Sequence, residues 1–375
     1  MNPLLELQSH GQSIWLDFIT RDFIAQGKLK RLIEEDGLRG VTSNPTIFQK
    51  AISGGKEYDG TIRRQLGEGK EADAIFETIA IEDIQQACDA FLPVYERTKG
   101  GDGFVSIEVS PGVARDTRAT IEEVRRLHRG VNRPNVMVKI PGTKEGLPAI
   151  EQGLSEGINI NITLIFSLQR YREVIDAWLA GLGRLAAKGG DISSISSVAS
   201  FFVSRVDASV DSQLEQKINQ ASGDQKKNLE ALLGKAAIAN ARQAYRIFQE
   251  AVNGPTFKQL EQKGARMQRP LWASTSTKNP KYLDVYYVEE LIGKDTVNTL
   301  PLQTIESFRD HGRVRNSLSE DPSESARTLE KLKQAGIDME SVTRQLEGDG
   351  IRLFTQSYGS LLESIRTKRE VLKVG

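Results

Sequence analysis

A closed (β/α)8 barrel of the TIM type, in the α/β class and with additional helices, is the fold that this sequence predicts. Three observations lead there. Eight short β-rich runs recur between Ser13 and Leu300, and helical patterns separate nearly every pair, the order of a parallel sheet built from βα units. The chain is 375 residues long, above the usual single-domain size of about 100–150 residues but ordinary for a barrel. No Gly-x-Gly-x-x-Gly follows the first run, so the dinucleotide fingerprint is missing. A doubly wound open sheet would also alternate, but eight evenly recurring units favour closure.

In order, the expected strands are Ser13–Ile19, Gly40–Thr42, Phe104–Val109, Val136–Ile140, Asn159–Phe166, Ile195–Ala199, Pro270–Ser274 and Val297–Leu300. Expected helices between them include Glu71–Lys99, Thr117–Arg129, Leu168–Ala187 and Tyr282–Ile292. The stretch around 211–250, rich in Gln, Lys and Ala, reads as a solvated helical insertion between barrel units. Residues 317–375 read as a helical C-terminal extension with an amphipathic Leu353–Leu372 segment. No internal repeat or low-complexity linker interrupts the chain, so residues 1–375 are expected to form one domain.

Composition excludes several classes of function. Lys+Arg and Asp+Glu each number 50, so no global field favours nucleic acid or an acidic membrane surface. No apolar run approaches the ~18–20 residues of a membrane span, and the first residues lack the pattern of a secretory signal. Cys88 is the single cysteine, which rules out an intrachain disulfide and points to a reducing, cytoplasmic setting. His10, His128 and His311 lie far apart, without the close spacing of metal-ligand pairs. No metal and no cofactor are therefore expected, although sequence-distant ligands can converge. The same scarcity argues against a histidine-based triad and leaves Lys, Asp and Glu as the agents of any chemistry.

Barrel strands, buried on both faces, should be nearly continuous in apolar residues. Several runs here alternate instead. Ile158, Ile160, Ile162 and Leu164 share one face, with Asn159, Asn161 and Thr163 on the other. Val136, Val138 and Ile140 oppose Met137 and Lys139; Val105, Ile107 and Val109 oppose Ser106 and Glu108; Ile14, Leu16 and Phe18 oppose Trp15 and Asp17. Period-two geometry sends the apolar sets to the outer helices and the polar sets into the barrel. A half-exposed edge strand would alternate in the same way, but a closed barrel has no edges. The polar residues fall near the C-terminal strand ends, where barrel enzymes keep their sites. A lysine and two carboxylates in one dry interior are costly unless they pair structurally or perform chemistry.

Chemistry is available to them. An amine among apolar walls is favoured in its neutral, nucleophilic form, and it can condense with a ketose carbonyl. The resulting iminium is an electron sink for C–C cleavage, with Asp17 and Glu108 as the acid/base groups such a reaction requires. Asn44, Asn161, Thr163 and Ser200 could hold the hydroxyls of a polyol. Two further runs suit a phosphate: Ser200-Phe-Phe202-Val-Ser-Arg205 after the sixth strand, and Ala273-Ser274-Thr-Ser-Thr-Lys278 after the seventh. Arg205 fits a bidentate oxyanion contact and Lys278 a point charge, the alternative for each being a solvated surface role.

At these residues the sequence resembles the transaldolase family. The matching segments are Trp15-Leu-Asp17, Thr42-Ser-Asn44-Pro-Thr46, Val105-Ser-Ile-Glu-Val109, Val138-Lys-Ile-Pro-Gly-Thr143 and Ile158-Asn-Ile-Asn-Ile-Thr163-Leu-Ile-Phe-Ser167, in order across nearly the whole chain. The resemblance implies a longer-chain bacterial-type member that moves a dihydroxyacetone unit from sedoheptulose 7-phosphate or fructose 6-phosphate to an aldose phosphate, in the non-oxidative pentose phosphate pathway. It implies Lys139 as the Schiff-base nucleophile, Asp17 as the acid/base of C3–C4 cleavage, and Glu108 with Thr163 as holders of the catalytic water. Asn44, Asn161 and Ser200 would contact the three-carbon unit, and Arg205 the phosphate, with Phe202 and Ser274 beside it. One departure stands out: many relatives carry Ser-x-Arg after the seventh strand, where this chain has Ser274-Thr-Ser276, and Lys278 would substitute. The expected partners are sugar-phosphate substrates, and the expected assembly is a monomer or homodimer. The rival readings are a fructose-6-phosphate aldolase, whose members are shorter and lack the carboxylate of Glu108, a metal-dependent barrel aldolase, and a silent sugar-phosphate-binding protein.

Overall fold

A computed structural model describes residues 2–320 and 322–374. Eight parallel strands close into a barrel in sequence order: β1 (Gln12–Leu16), β2 (Gly40–Val41), β3 (Phe104–Glu108), β4 (Val136–Pro141), β5 (Ile160–Ile165), β6 (Ser197–Phe202), β7 (Arg269–Ala273) and β8 (Thr296–Leu300). Closure is made by β1 against β8, registered from Gln12↔Thr296 to Leu16↔Leu300. Helices including Ala72–Arg97, Thr117–Val131 and Leu168–Ala187 pack outside, which is the (β/α)8 architecture that the alternation of elements predicts. Among the described residues no helix is long and apolar enough to cross a membrane.

The apolar half of each alternating strand faces those helices. Val136, Val138 and Ile140 are fully buried, as are Ile160 and Ile162, and they supply the hydrophobic contact that holds the helices on. The inward half fills the barrel in layers. At the N-terminal end, Trp15 lies against Gly40, where any Cβ would come within 2.6 Å of the indole. Beneath it, Arg269 pairs with Asp102 at 2.8 Å and Ser13 Oγ donates to the same carboxylate at 2.7 Å. This end is plugged, so the open space lies at the other.

Four expectations change. β6 runs to Phe202 instead of ending at Ala199, because Ser200 and Phe202 still pair with Leu271 and Ala273 of β7. The expected helix Tyr282–Ile292 shrinks to Tyr286–Glu289. Tyr282 and Tyr287 donate to Asp211 and Asp207, at 2.7 and 2.9 Å, and side chains five apart on one helix would diverge by ~140°. In β5, the strict alternation breaks at Leu164, which takes φ +58° beside a register shift between Ile162 and Ile165. Leu164 therefore packs on Gly350 of the C-terminal extension. Finally, the stretch 211–250 is not uniformly solvated: in the helix Ala236–Asn253, Ala237, Ala241, Ala244 and Phe248 are buried, and the exposed part centres on the helix Gly223–Glu230.

The extension forms helices Pro322–Gln334 and Met339–Val374. The second, the terminal helix, crosses the C-terminal face of the barrel. It touches the helices that follow β2, the short turn Pro111–Val113 after β3, β5 itself and the helix Ser204–Ile218 after β6.

Candidate active site

Strand register builds the centre of the site. Glu108, Lys139 and Asn161 are Cα partners on β3, β4 and β5, so three inward polar side chains stand at one height. Lys139 Nζ donates to Glu108 Oε2 and to the Ser43 carbonyl, both at 3.2 Å, and the two charged side chains are only 6% and 5% exposed. The walls around the amine are thus less apolar than the strand pattern implies. The apolar contact comes from the Phe354 ring, 6.0 Å from Nζ. Burial pushes the Glu108 carboxyl above its ordinary range, with Lys139 pulling it back.

Asp17 sits one residue beyond β1, and its N–H still donates to Leu300 O at 2.8 Å, so it continues the strand direction into the site. Thr42 Oγ1 donates to Asp17 Oδ1 at 2.7 Å and stands 2.7 Å from Thr299 Oγ1. With the Thr42 proton on Asp17, the Thr299 hydroxyl is the donor to Thr42, making a short relay. Burial raises the Asp17 carboxyl; Lys139 and the Thr42 hydrogen bond oppose it. A carboxyl so raised exchanges a proton more readily near neutral pH.

The amides and hydroxyls divide into two groups. Asn161 Nδ2 donates to Ser106 Oγ at 3.0 Å while its Oδ1 accepts from Ser200 Oγ at 2.7 Å, an ordered chain across β3, β5 and β6. Asn44 caps the helix Pro45–Gly54, accepting from Ile47 N at 3.1 Å, which leaves its NH2 group for the cavity. Thr163 Oγ1 is buried without a hydrogen-bond partner among the described residues.

A cavity of about 540 Å³ opens above these groups, lined by Asp17, Asn44, Lys139, Thr163, Ser200, Phe202, Arg205, Ser274 and Lys278 together with Thr42, Lys50, Thr299 and Phe354. Glu108 and Asn161 lie one layer back, bonded to Lys139 and Ser200. At the rim, Arg205 belongs to the first turn of the helix Ser204–Ile218 instead of a loop, its guanidinium 5.6 Å above the Phe202 ring. Ser274, at φ +56°, ties the end of β7 to that helix through a 3.1 Å contact with Ser204 Oγ. Lys278 Nζ donates to Ser276 Oγ at 2.8 Å. Arg205 and Lys278 make no ion pair within 4 Å among the described residues, and burial lowers both, each also feeling Asp17. Arg205, Lys278 and Lys50 share this rim with no ion pair within 4 Å among the described residues, Asp17 and Asp349 acting on Arg205 only from further off, an arrangement suited to a phosphate.

The residues that sequence patterns missed are Thr42, Thr299, Ser43, Lys50 and Phe354. Thr42 and Thr299 carried a signal, as polar residues on the inward face of their strands. Ser43 acts through its carbonyl, and Lys50 and Phe354 come from helices, where nothing in the alternation of strands marks them.

A closed parallel barrel with a buried lysine between carboxylates at its C-terminal face defines a class: barrel enzymes equipped for amine chemistry on carbonyl substrates. A family model described as Transaldolase/Fructose-6-phosphate aldolase matches residues 14–365. Among similar curated proteins, a Transaldolase of Trichodesmium erythraeum is 46% identical, over 98% of this chain and 97% of that one. Transaldolase 2 of a Nostoc species is 47% identical over 99% of both chains, and a Transaldolase of Mycolicibacterium smegmatis is 44% identical over 99% of both. The chain belongs to the transaldolase/fructose-6-phosphate aldolase family.

Proposed function

We propose that this protein catalyses the transaldolase reaction, carrying a dihydroxyacetone unit from a ketose phosphate to an aldose phosphate on Lys139. The observation that carries the reading is that Lys139 shares one cavity with the Asp17–Thr42–Thr299 chain and is bonded to Glu108 one layer back.

The Lys139 amine adds to the C2 ketone of the donor, and loss of the C2 oxygen as water gives an iminium. Glu108, 3.2 Å from Nζ, gives the proton with which the C2 oxygen leaves, through a water that it holds together with the Thr163 hydroxyl. Asp17 takes the proton from the C4 hydroxyl. The C3–C4 bond then breaks, the aldehyde leaves, and its electron pair remains on the lysine-bound unit as an enamine. The enamine carbon attacks the acceptor aldehyde, Asp17 returns its proton to the new alkoxide, and water releases the longer ketose. Asn44, Ser200 and, one layer back, Asn161 orient the hydroxyls. Arg205 with Lys278 and Lys50 binds the phosphate, Lys278 serving where many relatives have arginine, and Phe202 and Ser274 brace that end. The protein acts as one domain, monomeric or homodimeric, in the cytoplasm, where a lone thiol such as Cys88 stays reduced.

The test is to incubate the protein with fructose 6-phosphate, reduce with borohydride and map the adduct by peptide mass spectrometry. A three-carbon adduct on Lys139, absent from Lys139→Ala, is expected. In a parallel reaction without borohydride, added erythrose 4-phosphate should be consumed to sedoheptulose 7-phosphate. Release of dihydroxyacetone without transfer would favour the aldolase reading, and no adduct on folded protein would overturn both.

A further inference from the structure

The terminal helix Met339–Val374 is fastened at several points. Thr46 Oγ1 donates to Ser357 Oγ at 2.8 Å, and Lys368 pairs with Asp59 at 2.7 Å. Tyr358 stacks edge-on to Phe76, which meets Phe48 in the same way, at 5.6 and 5.4 Å. Arg170 reaches Glu347 at 3.5 Å. Gly350 sets the depth of the helix, since a Cβ there would stand 2.8 Å from Leu164 Cδ2. One turn further on, Phe354 enters the cavity, 6% exposed, with its ring 6.0 Å from Lys139 Nζ. Residues so far from any strand would not be held against the reacting amine by the barrel alone.

We infer that Phe354 is a specificity-determining residue, whose ring shields the lysine-bound three-carbon unit from water and so directs it to the acceptor aldehyde. This rests on the Schiff-base reading above. After cleavage the enamine on Lys139 has two fates. In transfer, its carbon bonds to the aldehyde carbon and Asp17 protonates the alkoxide. In release, that carbon takes the proton from Asp17 instead, and a water oxygen bonds to the iminium carbon. One water proton returns to the Asp17 carboxylate and the other to the departing nitrogen as the C–N bond breaks. Enamine plus water becomes dihydroxyacetone plus free amine, with no change of oxidation state. Both fates end in hydrolysis, but only release needs water at the imine while the bound unit is still three carbons long, before the acceptor aldehyde has added. An aromatic ring offers water no hydrogen-bond partner there, and its truncation opens space beside polar groups that can hold one.

The experiment measures, with fructose 6-phosphate and erythrose 4-phosphate together, the ratio of free dihydroxyacetone to sedoheptulose 7-phosphate formed. A ratio is independent of the fraction of folded enzyme, so a merely structural role would not move it. Phe354→Ala should raise the ratio at least tenfold and Phe354→Leu by less, while both still form the borohydride-trapped Lys139 adduct. Leu353→Ala, at the neighbouring exposed position, should leave the ratio unchanged. If Phe354→Ala does not fold, Phe354→Leu and Phe354→Met carry the test. An unchanged ratio in folded Phe354 variants that form the adduct would overturn the inference alone. Absence of the adduct from the unsubstituted protein would overturn the Schiff-base reading beneath it.

Discussion

Lys139 Nζ lies 3.2 Å from Glu108 Oε2, and neither side chain is more than 6% exposed. A buried pair of this kind is sustained by each charge stabilising the other; removing one partner leaves the second desolvated, at a cost of about 3–5 kcal/mol. The pH dependence has a definite sign. Burial already holds Glu108 above its ordinary range, and Lys139 opposes that, so Lys139→Met raises the Glu108 carboxyl further. A raised carboxyl binds its proton more tightly in the folded state, and stability falls as pH rises through the interval. Urea unfolding should therefore show Lys139→Met losing the most at pH 8 and approaching the unsubstituted protein towards pH 5. A gap independent of pH would contradict the pairing.

Asp17 has a different task. Asp17→Asn should leave imine formation intact and block C3–C4 cleavage, lowering kcat by about 10²- to 10⁴-fold. Borohydride should then trap a six-carbon phosphate adduct on Lys139 in place of the three-carbon one, a difference that mass spectrometry reads directly. Thr42→Val removes one hydrogen bond to Asp17 and should cost about tenfold, the size of a ~1–1.5 kcal/mol interaction. A three-carbon adduct in Asp17→Asn would assign the cleavage proton elsewhere.

The rim cations separate binding from chemistry. Arg205→Ala should raise KM for fructose 6-phosphate by about 10- to 100-fold, the loss of a charge-assisted contact, with a smaller change in kcat. Lys278→Ala should act in the same direction and more weakly, because its ammonium is a point charge already bonded to Ser276. Raising ionic strength should weaken phosphate binding in all three proteins. Equal effects on phosphorylated and unphosphorylated donors would remove the phosphate role.

Behind Arg205, Asp207 of the same helix accepts from Ala237 N at 2.7 Å and from Tyr287 Oη at 2.9 Å. Burial pushes its carboxyl up to about 7. The folded state therefore binds this proton more tightly, and stability from Asp207 declines as pH rises from about 4 to about 7. Asp207→Asn cannot ionise, so the variant should gain on the unsubstituted protein across that window, by about 1–3 kcal/mol. Unfolding curves at pH 4.5, 6 and 7.5 measure it; a constant difference would mean that Asp207 does not titrate there.

The barrel and the core of the site are legible in the linear sequence because both follow from period-two alternation. Lys139, Glu108, Asn161 and Asp17 stand out as polar residues on faces whose opposite sides are purely apolar, and closure of the sheet leaves those faces nowhere to go but inward. Phe202 was less plain, since the serines of β6 resemble a loop until Phe201 and Phe202 are seen to pair with Trp272 and Ala273. Leu164 misled, because a single residue at positive φ shifts the register without altering the pattern.

Local sequence thus determined which strands exist, which side chains enter the barrel and which chemistry they can perform, because alternation is a property of neighbouring residues. Tertiary structure alone decided that Glu108 and Lys139 meet at bonding distance, that Thr299 completes a chain through Thr42 to Asp17, and that Phe354 roofs the cavity. Those contacts join residues 31, 257 and more than 200 positions apart. They depend on barrel register and on where the terminal helix docks, and the free energy of burying that helix is collected from surfaces spread over the whole chain.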